Sequence, residues 1–141
     1  MPIQISLLTI LDLLRREKSY TILQNHLMVQ NASIREALLY IHQHYDEKLS
    51  VHEIAGALHI STDHFIRLFK FMLGMTPQKY IQTYRIKQAA AAIRQISDDV
   101  PLSISEIAAG IGFSDANYFT RSFKKVMGIT PSQYQKMILK N

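Results

Sequence analysis

The sequence predicts an all-α fold: two tandem helix-turn-helix units joined by a long linker helix and preceded by an apolar N-terminal helical segment. Three observations carry this. The 32 residues from Leu49 to Tyr80 recur between Leu102 and Tyr134, with fourteen identities and one extra residue in the second copy. Apolar residues fall three and four apart through both copies, which is helical spacing. The punctuation is helical as well: Ser-x-x-Glu opens each copy, a glycine follows the long apolar stretch, and Thr-Pro comes next.

Each element has its own justification. Residues 1–32 are read as an N-terminal segment, and 33–141 as the tandem domain, with a first unit at about 33–82, the linker helix at about 77–96 and a second unit at about 102–140. Ser33 is expected to cap a helix with Glu36 at N3, and Ile34, Ala37, Leu38, Ile41 and Tyr45 line its buried side. Ser50 and Ser103 are N-caps with Glu53 and Glu106 at N3, a capping-box pattern. Each short helix turns inward Ile54, Ala55 and Leu58, or Ile107, Ala108 and Ile111; the alanines suit a contact where two helices cross steeply. A second N-cap follows, Ser61 or Ser114, with the extra residue placed at the start of the second long helix. His59 stands where the second copy has Gly112, so the backbone there must accept a side chain.

The long helices are amphipathic. Phe65, Leu68, Phe69 and Met72 form one apolar face, and Phe119, Phe123, Val126 and Met127 form the other. Their outer faces carry Asp63, Ile66, Arg67 and Lys70, and Asn117, Thr120, Arg121 and Lys124. Gly74 and Gly128 close them as residues that tolerate the left-handed conformation. After Thr76-Pro77 a helix runs to about Gln95 with Tyr80, Ile81, Tyr84, Ala89, Ala92 and Ile93 apolar; Pro131 opens a last one to about Leu139. From Ser33 onward this makes seven helices.

Charge divides the chain. Residues 1–48 hold five basic and five acidic side chains, whereas residues 49–141 hold eleven and six, so the whole excess of +5 lies on the repeat. A basic region beside a neutral one points towards a polyanion. The 48% apolar composition suits a folded core. No run of 18 apolar residues is present, so no membrane helix is expected. The apolar stretch Ile3 to Leu14 lacks a basic lead and a small-residue cleavage site, so it is not read as a signal peptide. There is no cysteine, which removes disulfides, thiol catalysis and cysteine zinc sites and fits the cytoplasm.

The segment Ile107 to Tyr134 reads I-A-x-x-I-G-F-S-D-x-x-Y-F-x-R-x-F-K-K-x-x-G-x-T-P-x-x-Y. It resembles the DNA-binding domain of the AraC/XylS family of bacterial transcription regulators, and the resemblance extends over about Ala32–Lys140. It implies sequence-specific binding to double-stranded DNA, with a rigid linker holding both recognition helices on one DNA face, and transcriptional activation, often through RNA polymerase. Carried over residue by residue, Asp63, His64, Ile66 and Arg67 face the first groove, and Asn117, Tyr118, Thr120 and Arg121 the second. Lys70, Lys124 and Lys125 are read as phosphate contacts. The arginines have the strongest chemical support, because a bidentate guanidinium on guanine is the commonest specific contact. Asp63 and Asp115 depart from the pattern by placing carboxylates near phosphate; helix capping is the favoured role of Asp115. Ile66 can only pack on a thymine methyl, so the first unit is expected to discriminate less.

Other classes fare poorly. The six histidines form no H-x-x-x-H pair, so no metal is expected. No phosphate loop, nucleophile or carboxylate pair suggests an enzyme, and neither a cofactor nor a small-molecule site is expected. A protein-interaction module that has lost DNA binding is the third class. In residues 1–32, Ile3, Leu7, Ile10, Leu11 and Leu14 form a stripe whose spacing fits a helix pair. A homodimer through residues 3–14 is therefore expected, with folding back onto the DNA-binding domain as the alternative. The chain is read as the C-terminal part of a longer regulator, with a naturally small single-domain member as the rival.

Overall fold

A computed structural model describes residues 18–99 and 102–140. The stripe at residues 3–14, and the dimer expected from it, lie outside the described residues. Among the described residues there are seven helices and no strand: α1 (Lys18–His44), α2 (Val51–Ala57), α3 (Thr62–Leu73), α4 (Pro77–Arg94), α5 (Ile104–Gly110), α6 (Ala116–Met127) and α7 (Pro131–Leu139). No described helix is long and apolar enough to cross a membrane.

Two cores hold them. The first packs Ile34, Ala37 and Ile41 of α1 and Ile54 and Ala55 of α2 against Phe65, Leu68 and Phe69 of α3 and Ile81 of α4. The second packs Ile86, Ala89, Ala90 and Ile93 of α4 with Ile107 and Ala108 of α5, Ile111, Phe113, Phe119 and Phe123 of the second helix-turn-helix, and Tyr134 of α7. Helix α4 therefore contributes its opening turns to the first core and the rest to the second. This explains why Ile86 and Ala90, both buried, were not expected: a helix buried on different sides along its length shows no single apolar stripe.

The caps are as expected in kind, with three differences. Ser33 is not a cap; α1 runs through it from Lys18, because no residue near Ser33 breaks the helix and Ile34 to Ile41 bury its second half. The second long helix is capped by Asp115, the role favoured for it, and not by Ser114. The extra residue thus lengthens the turn ahead of α6 rather than the helix itself. The physical reason is acceptor capacity: the Asp115 carboxylate takes the amides of Asn117 at 2.8 Å and Tyr118 at 3.2 Å, and its negative charge suits a helix N-terminus. The reciprocal capping box forms at Ser103/Glu106 and also at Thr130/Gln133, whereas at Ser50 the bond found is that from the Glu53 amide to the hydroxyl.

The two turns match in conformation. His59 adopts a φ of 59° and Gly112 one of 101°. A histidine in the left-handed region is strained relative to glycine, and it is held there by the Ile60 amide, which donates to the Ala55 carbonyl at 3.1 Å; the Phe113 amide does the same to Ala108 at 3.0 Å.

Candidate nucleic-acid interface

The apolar faces of α3 and α6 are consumed by the cores, which fixes what they show to solvent. On α3, Phe65, Leu68 and Phe69 point inward, so Asp63, His64, Arg67 and Lys70 are exposed and Ile66 is half-buried. On α6, Phe119, Ser122 and Phe123 are buried, so Asn117, Tyr118, Thr120, Arg121, Lys124 and Lys125 are exposed. Among the described residues the lysines of both faces and Arg121 have no hydrogen-bond or ion-pair partner; the ion pair found is His44–Glu47, elsewhere. Arg67 Nε donates weakly to the Asp63 carbonyl at 3.4 Å, and the Thr120 hydroxyl to the Ala116 carbonyl at 3.0 Å. Unpaired cations on a helix face are free to meet an outside anion without first breaking an internal contact.

A cleft of about 1400 Å³ separates the two faces. Its floor is the first half of α4, including Gln78, Lys79, Gln82 and Arg85. One wall is Thr62 and Ile66 of α3, and the other is Tyr118, Arg121 and Lys125 of α6. Ile66 corresponds by cap position to Thr120, and Arg121 to Arg67, so the two helices face the cleft with opposite flanks. Two copies related by a translation must do this, whereas a twofold axis would present the same flank twice.

Helix α6 is braced to α4. Gln82 Nε2 donates to the Tyr118 hydroxyl at 2.8 Å and to the Ser122 hydroxyl at 2.6 Å. Tyr118 also lies against Phe113, with ring centroids 5.9 Å apart. Its side chain therefore sits on the flank towards the cleft.

A helix-turn-helix domain model matches residues 54–137, more than half of the chain. Among solved structures, an AraC-type transcriptional regulator from Chromobacterium violaceum is 29% identical with a TM-score of 0.69, covering 77% of this chain and 93% of that one. The C-terminal domain of AraT, a response regulator from Geobacillus stearothermophilus, is 30% identical with a TM-score of 0.68, covering 74% and 84%. The HTH-type transcriptional regulator YdeC of Bacillus subtilis is 33% identical over 110 residues, 78% of this chain and 36% of that protein. The chain belongs to the AraC-type helix-turn-helix family. It carries the AraC-type helix-turn-helix DNA-binding domain, and it spans about a third of the length of the curated relatives first matched, 36% of YdeC.

Within this AraC-type domain, ten of the eleven side chains expected at DNA are exposed and Ile66 is half-buried. The structure brings Ile66, Tyr118, Arg121 and Lys125 to one cleft and leaves Asp63, His64, Arg67, Lys70, Asn117, Thr120 and Lys124 outside it. Sequence reasoning missed the floor. Gln78, Gln82 and Arg85 are spaced four and three apart on the linker, a polar stripe at helical spacing that was legible but looked like an ordinary solvated face. Burial pulls the Arg85 guanidinium below its usual range, with Tyr118 and Asp46 opposing. The histidines are engaged separately: His42 stacks on Tyr84 at 4.4 Å and bonds the Tyr80 hydroxyl at 2.7 Å, and His52 bonds Thr62 at 2.9 Å.

Proposed function

We propose that this regulator inserts α3 and α6 into successive major grooves on one face of duplex DNA. The observation that carries the reading is the cleft bounded by opposite flanks of the two recognition helices. Like-oriented helices with different outer residues read an asymmetric site of two unlike halves, and the duplex backbone between the two grooves falls into the cleft. The linker has 18 residues, or roughly 27 Å of helix, close to the ~34 Å of one DNA turn.

In this reading Asp63, His64, Ile66 and Arg67 face bases of the first groove, and Asn117, Tyr118, Thr120 and Arg121 those of the second. Arg121 and Asn117 suit guanine and adenine edges. Lys70, Lys124 and Lys125 hold phosphates and position the protein. Tyr118, with its hydroxyl already bonded to Gln82, also aims the helix. The chain acts in the cytoplasm, without catalysis of its own, as an activator that meets RNA polymerase, the outcome the family resemblance favours.

A mobility-shift titration on bulk duplex DNA at several salt concentrations tests the reading. Binding that weakens linearly in log salt is expected. Absence of binding at low salt would leave the protein-interaction class standing instead.

A further inference from the structure

Arg85 sits at the midpoint of the linker, between Ile81 of the first core and Ile86 of the second. Its Nε donates to the Tyr45 carbonyl at 2.7 Å and its Nη2 to the Glu47 carbonyl at 2.8 Å. Both carbonyls lie just past α1, in the first unit. The other side of the guanidinium lies under the turn of the second unit: a Cβ placed on Gly112 would come within 3.2 Å of the Tyr45 carbonyl oxygen and 3.4 Å of Arg85 Cζ and Nε. Tyr45 completes the junction, since its ring packs on the second core and stands edge-on to Tyr84 at 5.1 Å. Two backbone segments, one from each unit, thus converge on one planar side chain.

We propose that Arg85 is a positioning residue that sets the separation at which the two units read DNA. The proposal rests on the two-groove reading above. Each unit has its own core, so either could keep its fold while tilting about the linker. The guanidinium opposes that tilt because its donors are fixed in one plane and directed at two carbonyls. Gly112 suits the close approach, since a Cβ there would crowd the Tyr45 carbonyl and the guanidinium by a few tenths of an ångström, and its φ of 101° is one that side chains rarely adopt. A lysine at position 85 keeps the charge but has no fixed fork, so it separates the positioning role from simple electrostatics.

The test uses the full chain and a duplex selected by it from a random pool, together with the same duplex carrying one base pair inserted or removed between the half-sites. One base pair shifts a half-site by about 3.4 Å and turns it by roughly a tenth of a turn, which a rigid junction cannot follow. The unmodified chain should lose about tenfold or more in affinity on the altered spacings. Arg85→Lys and Arg85→Met, confirmed as folded by cooperative melting, should lose only a few-fold between spacings while binding the parent duplex somewhat less well. A folded variant that keeps the full spacing penalty overturns the proposal and leaves the two-groove reading intact. A selected site with no spacing penalty in the unmodified chain overturns both. If neither variant melts cooperatively, exchange of the Arg85 Nε proton in the unmodified chain decides: slow exchange is expected of a donor held by a carbonyl, and free exchange overturns the proposal.

Discussion

The side-chain amide of Gln82 donates to the Ser122 hydroxyl at 2.6 Å, joining α4 to α6 across 40 residues of sequence. Ser122 is the buried polar side chain of the structure's described core, and it stands where the first unit has Leu68. Gln82→Leu should therefore strand a buried hydroxyl and destabilise the fold by about 1–2 kcal/mol. Ser122→Ala in that background should recover part of the loss, giving a non-additive double-mutant cycle in urea unfolding. Strict additivity would show that the two side chains do not act as a pair.

Asp115 is the acceptor for two amides at the start of α6. Asp115→Ala should cost about 1 kcal/mol in denaturant stability, whereas Asp115→Asn or Asp115→Ser should cost much less because either can still cap. A loss in the serine variant equal to that in the alanine variant would remove capping as the explanation.

The repeated elements were legible because their boundaries are written twice in local chemistry: the caps Ser50 and Ser103, the left-handed glycines Gly74 and Gly128, and the Thr-Pro pairs ahead of α4 and α7. The exposed faces of α3 and α6 followed from their apolar faces. What escaped the reading depends on tertiary packing. Ile86 is buried by the second unit although it falls outside the stripe that includes Tyr80 and Ile81, and Ser33 lies within a helix because α1 begins earlier. Ser114 and Asp115 were both legible as caps; the choice between them turns on which side chain reaches two amides, which spacing alone does not reveal. Gln82 and Arg85 reach partners 36 to 40 residues away, so nothing near them in sequence marks their role.

Arg121 is exposed on α6, lines the cleft and has no partner among the described residues. Arg121→Ala should cost about 1–3 kcal/mol on the selected duplex and relax one base position. Equal losses on selected and random DNA would assign it to phosphate instead.

Lys124 lies one turn further along α6, outside the cleft. Lys124→Ala should lower the slope of log K against log salt by about one and leave sequence preference unchanged. An unaltered slope would mean that Lys124 meets no phosphate.

The central claim is that one chain reads two successive major grooves with like-oriented helices. Hydroxyl-radical footprinting of the full chain on its selected duplex tests it most directly. The expected result is an asymmetric site whose two unlike halves are centred about 10 base pairs apart on one face of the helix. A footprint confined to one half-site, or a palindromic site with mirror-related protection, would contradict it.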